Sequence, residues 1–343
     1  MAEHLSQSEL DYPFKLLEYF NGFRVSKVIF SACELGVFDL LLKSQEPLSA
    51  QHVARELGTS VDGMERLLDA LVGIEILEVE TTDGTFYSST DVANLYLAKG
   101  SAKSLHDMII YQSQTIYPLW NNMVDAVEGR NQNEKTFGLP PEDVFQAIYR
   151  SEEEMLKFMG LMNSSWVLDG HDIVTAFNLS CFQTIVDLGC TGALAREMVK
   201  AYPSSSVTVF DLPQVVESTQ KHFSQENDAI VFQTDFFSGD IPAADLYVLA
   251  RIIHDWPEEK CLTLLKKIYN TCRPGGVLLV EAMLFENRRG PVMAQIFSLN
   301  MLVQAEGRER PPSEYTHMLK KTGFQNVQVC RTGKSYDAIL AIR

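Results

Sequence analysis

From residue 183 onward, seven short apolar segments alternate with helical ones: TIVDL, SVTVFDL, AIVFQ, DLYVLAR, GVLLVEA, NVQVC and DAILAI. Strands without a polar alternation are apolar because both of their faces are covered. Separated by helices, they predict a parallel sheet sandwiched between helical layers. The last two are exceptions, since only RTGKSY joins them. Six residues cannot make a crossover, so this pair must be an antiparallel hairpin. A doubly wound sheet closed by such a hairpin is unlike a plain dinucleotide-binding domain.

Residues 1–110 have a different texture. LLEYFNGFRVSKVIFSACELGVFDLL spaces Leu16, Phe20, Phe23, Val28, Phe30 and Leu35 as for one buried helical face. Further on, Ser49 and Ser60 are suited to cap two helices, Gly58 to stop the first, and Asp83-Gly84 to tip a hairpin. This outlines a winged helix. The region holds eight Lys/Arg against 17 Asp/Glu, and the second helix carries Asp62, Glu65 and Asp69 beside Arg66. Such a helix would repel phosphates and base edges, which excludes nucleic acid as the expected partner. The first helices carry more apolar surface than a small winged helix can bury, so a homodimer interface is expected. The expected domains are 1–110 for dimerisation and 111–343 for catalysis, the latter including a helical linker to about 182.

Charge and targeting signals narrow the setting. A net charge of −16 over 343 residues argues against anionic membranes as well. No apolar run approaches the ~18 residues of a membrane span. The N-terminal MAEHLSQSELDYPF lacks a cationic start and apolar block, and the six cysteines show no C-x-x-C pairing. A cytoplasmic setting with buried reduced thiols and no zinc site is expected.

In TIVDLGCTGALAREM, Asp187 ends a strand, and Gly189 and Gly192 lead into a helix. Close backbone approach to a ligand needs residues without Cβ there. Asp211 ends the next strand, where an acid commonly accepts from a ribose. A nicotinamide site, an adenosyl-sulfonium site and a tight structural turn all fit. Two features favour the sulfonium: the closing hairpin, and acids at successive strand ends, namely Asp187, Asp211, Asp235 and Asp255. A pyrophosphate would be repelled by that field and a cation tolerated. Phe236, Phe237 and Trp166 are either cation-π partners or ordinary core.

The chemistry-bearing residues follow. LARIIHDWPEEK sets His254 and Asp255 just past the fourth strand, GVLLVEAML puts Glu281 at the end of the fifth, and SLNMLVQAEGRERPP supplies Asn300, Gln304 and Glu309. A phenol has a pKa of about 10, so methylating its oxygen needs a base. His254 suits that role, with a carboxylate from Glu281 or Glu309 fixing its tautomer. Asn300 and Gln304 stand four apart, on one helix face.

VFDLP, DFF, LARIIHDW, SLNMLVQAEGRER and YDAILA, over nearly the whole chain, resemble the small-molecule O-methyltransferases that carry an N-terminal winged-helix dimerisation domain. The resemblance implies a Rossmann-like class I methyltransferase sheet in an α/β fold. It also implies methyl transfer from S-adenosylmethionine, without a metal, to the 5-hydroxyl of N-acetylserotonin, a hydroxyindole, giving melatonin. Carried over by motif, His254 is the base. Tyr149, Trp166, Asp211, Asp235, Phe236 and Arg251 contact the cofactor, and Asp255, Asn300 and Gln304 contact the substrate. The sequence also departs from the family. DLGCTG is one residue shorter than D-x-G-G-x-x-G, TDFF lacks the glycine of GDFF, and PGGVLLVE is one residue short. A one-residue slip in a strand would reverse every following side chain. Methylation of another small phenol, or a catalytically silent dimeric homologue, are the alternatives.

Overall fold

The computed structural model describes residues 10–130, 132–138, 148–189, 191–222, 230–234 and 241–343, with backbone alone for 133 and 230–234. The chain divides into two compact units, 1–114 and 115–343.

In the first unit, helices Ala50–Leu57 and Val61–Gly73 start as their caps dictate. Ser49 accepts from the His52 amide and Ser60 from the Gly63 amide, and Gly58 ends the first helix in the left-handed region. Strands β1 (Leu77–Glu80) and β2 (Phe86–Ser89) then pair antiparallel around Asp83-Gly84. Leu48 bridges to Tyr87, whose ring is fully buried and whose hydroxyl donates to Asp69 at 2.7 Å. This is the winged helix expected from the sequence.

The long helix Phe14–Leu35 carries the surplus apolar surface expected of a homodimer interface. Only Ala32 and Cys33 are buried, whereas Leu16, Phe20, Phe23 and Leu35 are exposed. Val28 and Phe30 of the apolar stripe pack partly buried against the core of the unit, and the remainder is left uncovered by the described residues. The physical reason is that periodicity reports a need for burial without naming the surface that meets it.

In the second unit, β3 (Thr184–Leu188), β4 (Ser206–Asp211), β5 (Ile230–Thr234), β6 (Leu246–Ala250), β7 (Gly276–Glu281), β8 (Gln325–Cys330) and β9 (Asp337–Ile342) form one sheet. Its order is β5-β4-β3-β6-β7-β9-β8. Strands β3 to β7 pair in parallel, and β9 is antiparallel to both β7 and β8, giving the expected closing hairpin. Alternate residues feed two cores. Val186, Leu188, Tyr247, Leu249, Val277 and Leu279 enter one. Ile185, Val207, Leu246, Val248, Leu278 and Val280 enter the other. Burial on both faces accounts for the near-continuous apolar strands.

The feared slip in β7 does not occur. Gly276 to Val280 pair in step with Leu246 to Ala250, and all six β7 residues are buried. A glycine is required at Gly275, where a Cβ would lie 1.9 Å from the Asp245 carbonyl oxygen. The loop before the strand therefore fixes the register that places Glu281.

Candidate active site

The parallel strands end together, and the reversal of strand order between β3 and β6 opens a crevice there. The chain after β6 supplies most of what lines it. Arg251 sits at φ +60° and its N–H continues the ladder to the Val280 carbonyl at 2.8 Å. A left-handed non-glycine residue is strained by about 1–3 kcal/mol, a cost met mostly at functional positions. A short 3₁₀ turn, Ile253–Asp255, follows.

This turn is held from several sides. The Glu281 carboxylate accepts from the Ile253 amide at 2.9 Å. Arg310, almost wholly buried, donates to the carbonyls of Ile253 at 2.9 Å and Trp256 at 2.8 Å. Gly307 presses against the turn so closely that a Cβ would stand 2.1 Å from the His254 carbonyl oxygen. The Glu306 amide adds a bond to the Asp255 carbonyl at 3.3 Å.

His254 is therefore fixed among carboxylates. Its Nδ1 is 2.6 Å from Glu309 Oε1 and 3.6 Å from Glu281 Oε2, and its Nε2 is 3.5 Å from Asp255 Oδ1. A carboxylate can only accept, so Nδ1 is the donor to Glu309 and the proton-exchanging nitrogen is Nε2. Both glutamates are buried, which is rare for acids without partners. Burial, which alone would lower the His254 pKa, is outweighed by the charges of Glu309, Glu281 and Asp255, so that it is raised to about 9. Burial pushes Glu281 up to about 8, with the His254 charge opposing and Glu309 reinforcing. The protonation of Glu281 is thus tied to that of His254.

One nitrogen and two carboxylates whose atoms lie within 4.8 Å also make a donor set for a cation. Ligands at ~2.0 Å in a tetrahedral site stand roughly 3.3 Å apart. The 2.6 Å between His254 Nδ1 and Glu309 Oε1 is a hydrogen bond instead.

A cavity adjoins this cluster, lined among others by Tyr149, Gly189, Asp211, Arg251, Ile252 and Asp255. Gly189 is at φ +72°, and a Cβ there would meet Ile252 Cδ1 at 2.5 Å. Asp211 accepts from the Leu212 amide at 2.6 Å. Burial raises its pKa to about 7, the Leu212 bond opposing and Asp187 adding. Burial also raises Asp255, offset by His254 and Arg251. Arg251 donates to Ser165 Oγ at 3.3 Å and lies 5.4 Å from the Tyr336 ring centre, while its Nε is buried without a hydrogen-bond partner among the described residues.

The model for the O-methyltransferase domain matches residues 120–325, and that for the O-methyltransferase dimerisation domain matches 17–99. The chain belongs to the O-methyltransferases. It is 53% identical over 341 residues to an acetylserotonin O-methyltransferase of Gallus gallus, covering 98% of this chain and 99% of that one. It is 49% identical over 341 residues to the Homo sapiens protein of that name, covering 97% and 99%. The crystal structure of human N-acetylserotonin methyltransferase in complex with SAM superposes with a TM-score of 0.94, at 47% identity, covering 100% of this chain and 99% of that one.

Within this O-methyltransferase, the cavity gathers Tyr149, Gly189, Asp211, Arg251 and Asp255 of the expected residues. Trp166 does not line it. Its buried indole packs 5.5 Å from Tyr336, the ring that Arg251 covers. Asp187 is fully buried at the end of β3. Asn300 and Gln304 share helix Val292–Gln304. Asp235, Phe236 and Phe237 lie outside the described residues. Sequence reasoning missed Arg310, Gly307, Tyr336 and Ile252. Arg310 and Gly307 stand in GRER beside the expected Glu309, a charge cluster that could have flagged them.

Proposed function

We propose that the protein transfers the methyl group of S-adenosylmethionine to the 5-hydroxyl of N-acetylserotonin, giving melatonin, with His254 as general base. The observation that carries this reading is the Glu309–His254 pair, buried and directed, with Nε2 beside the Asp255 carboxylate that lines the cavity. Near-full-length identity to two acetylserotonin O-methyltransferases supports the substrate.

The residues present suit the cofactor. Gly189 offers bare backbone, Asp211 a buried acceptor for ribose hydroxyls, and Arg251 a buried Nε, without a partner among the described residues, for a carboxylate. Tyr149 and Trp166 are assigned to the same site, with Asp187 reinforcing the acidity at the strand ends. S-Adenosylmethionine supplies an electrophilic methyl on a cationic sulfonium. His254 Nε2 takes the phenolic proton as the oxygen attacks, Glu309 accepts from Nδ1–H, and Glu281 holds the turn that carries the imidazole. The C–O bond forms as the methyl–sulfur bond breaks, so the proton ends on His254, the methyl on the oxygen, and the sulfur leaves with the bonding pair as a neutral thioether. Proton transfer of this kind contributes about 10²- to 10⁴-fold, the remainder coming from placement of the two reactants. Asp255, Asn300 and Gln304 are assigned to the substrate.

We place the active form as a homodimer, supported by the matched dimerisation domain and the uncovered apolar helix Phe14–Leu35. A cytoplasmic setting suits the buried free thiols of Cys33, Cys261 and Cys272. Among the described residues, no helix is long and apolar enough to cross a membrane. The test is calorimetric titration with S-adenosylmethionine, followed by transfer of labelled methyl to N-acetylserotonin and other phenols. Micromolar binding with preferential labelling of N-acetylserotonin is expected. Binding without transfer to any phenol would refute the activity, and failure of folded protein to bind would implicate the short glycine turn.

A further inference from the structure

Trp120 closes helix Tyr117–Trp120 and packs against a small cluster that includes Leu119, Ala126 and Val303. Its indole N–H donates to Asn300 Oδ1 at 2.9 Å, across 180 positions of sequence. An indole nitrogen is a donor and nothing else. The orientation of the Asn300 amide is therefore decided by chemistry: the oxygen faces Trp120, and the nitrogen, which has no partner among the described residues, faces away. An unanchored asparagine could turn either end toward a ligand, and this one is restricted to one.

We propose that Trp120 is a positioning residue for the substrate, holding Asn300 as a hydrogen-bond donor so that Nδ2 meets an acceptor oxygen. The inference rests on the reading of Asn300 as a substrate contact. Two oxygens of N-acetylserotonin qualify, the acetamide carbonyl and the 5-oxygen. The substrate's indole N–H is a donor and does not match an amide held this way.

Steady-state kinetics on Trp120→Phe, Asn300→Ala, the double variant and Asn300→Asp test it. Trp120→Phe keeps an aromatic ring against the cluster and loses the N–H together with part of the indole, so Asn300→Asp, which leaves the packing intact, is read beside it. Trp120→Phe is expected to raise KM for N-acetylserotonin about 3- to 10-fold, the effect of about one hydrogen bond, with a smaller change in kcat and unaltered calorimetric binding of S-adenosylmethionine. In the Asn300→Ala background the same change should have no further effect. Asn300→Asp still accepts from Trp120 and cannot donate, so its KM should rise as far as that of Asn300→Ala. This variant keeps the test open should Trp120→Phe fold poorly.

Serotonin, which lacks the carbonyl, separates the two acceptors. Loss of the Trp120→Phe effect with serotonin assigns the carbonyl, and its persistence assigns the 5-oxygen. An unchanged KM in Trp120→Phe or in Asn300→Asp, with Asn300→Ala raised, overturns the role of Trp120 and leaves Asn300 in place. Additive effects in the double variant also overturn it, since Trp120 would then act by packing. An unchanged KM in Asn300→Ala removes the underlying contact itself.

Discussion

Two regions of this molecule break the ordinary rule of burial in opposite directions. The helix Phe14–Leu35 leaves Leu16, Phe20 and Phe23 exposed, while the turn after β6 buries His254, Glu281, Glu309 and Arg310. The first region has apolar surface that the described residues leave uncovered. The second buries charges held by hydrogen bonds, Glu309 to His254, Glu281 to the Ile253 amide and Arg310 to two carbonyls, while one oxygen of each glutamate has no hydrogen-bond partner among the described residues. Each departure costs stability unless something compensates, and what compensates identifies the role. At His254 the compensation is internal and visible as hydrogen bonds, which marks a site preorganised before any ligand arrives. Along Phe14–Leu35 it must come from outside, in keeping with the matched dimerisation domain.

The comparison is sharpened most by removing the buried base. His254→Ala should lower turnover by at least about a hundredfold and leave S-adenosylmethionine binding in place. Unchanged turnover would remove His254 from the chemistry. Next in size is the exposed face. Phe20→Glu with Phe23→Glu should shift sedimentation at micromolar concentration from dimer to monomer, and a persistent dimer would locate the interface elsewhere.

The pH profile probes the protonation of His254. As the proposed base His254 would act when neutral, and its pKa is raised to about 9, so kcat/KM should climb with pH on a limb that levels off near that value. Glu309→Gln removes a negative charge facing the imidazole, which lowers its pKa and moves the limb to lower pH. A limb that stayed in place would mean another group controls it. The smallest expected effect is none at all: prolonged chelation should leave the rate unaltered, and a loss restored by a divalent ion would turn the His254 cluster into a metal site.

Legibility in the sequence followed the range of the interactions involved. Caps such as Ser49 and Ser60 act within three residues, and strands such as β6 and β7 advertise two-sided burial, so both were readable. His254 and its carboxylates were readable because strand ends collect ligands in this architecture. What stayed hidden depends on contacts formed far along the chain. Arg310 reaches carbonyls 54 and 57 positions away, and Trp120 meets Asn300 at 180. The surplus apolar surface of Phe14–Leu35 was readable, but which of its residues pack inside the unit and which stay exposed was not, because the covering surface is not local sequence information.

The approach of Gly307 to the His254 carbonyl has a bearing on how such enzymes diversify. With no side chain between them, the segment that carries Glu309 and the turn that carries His254 are fastened into one rigid piece, which Arg310 ties a second time. Asn300 and Gln304 lie outside that piece, on a neighbouring helix. With the roles proposed above, variation along the helix would reshape which phenol is accepted while the pair that takes the proton is inherited intact, so that new substrates could be explored without reinventing the reaction.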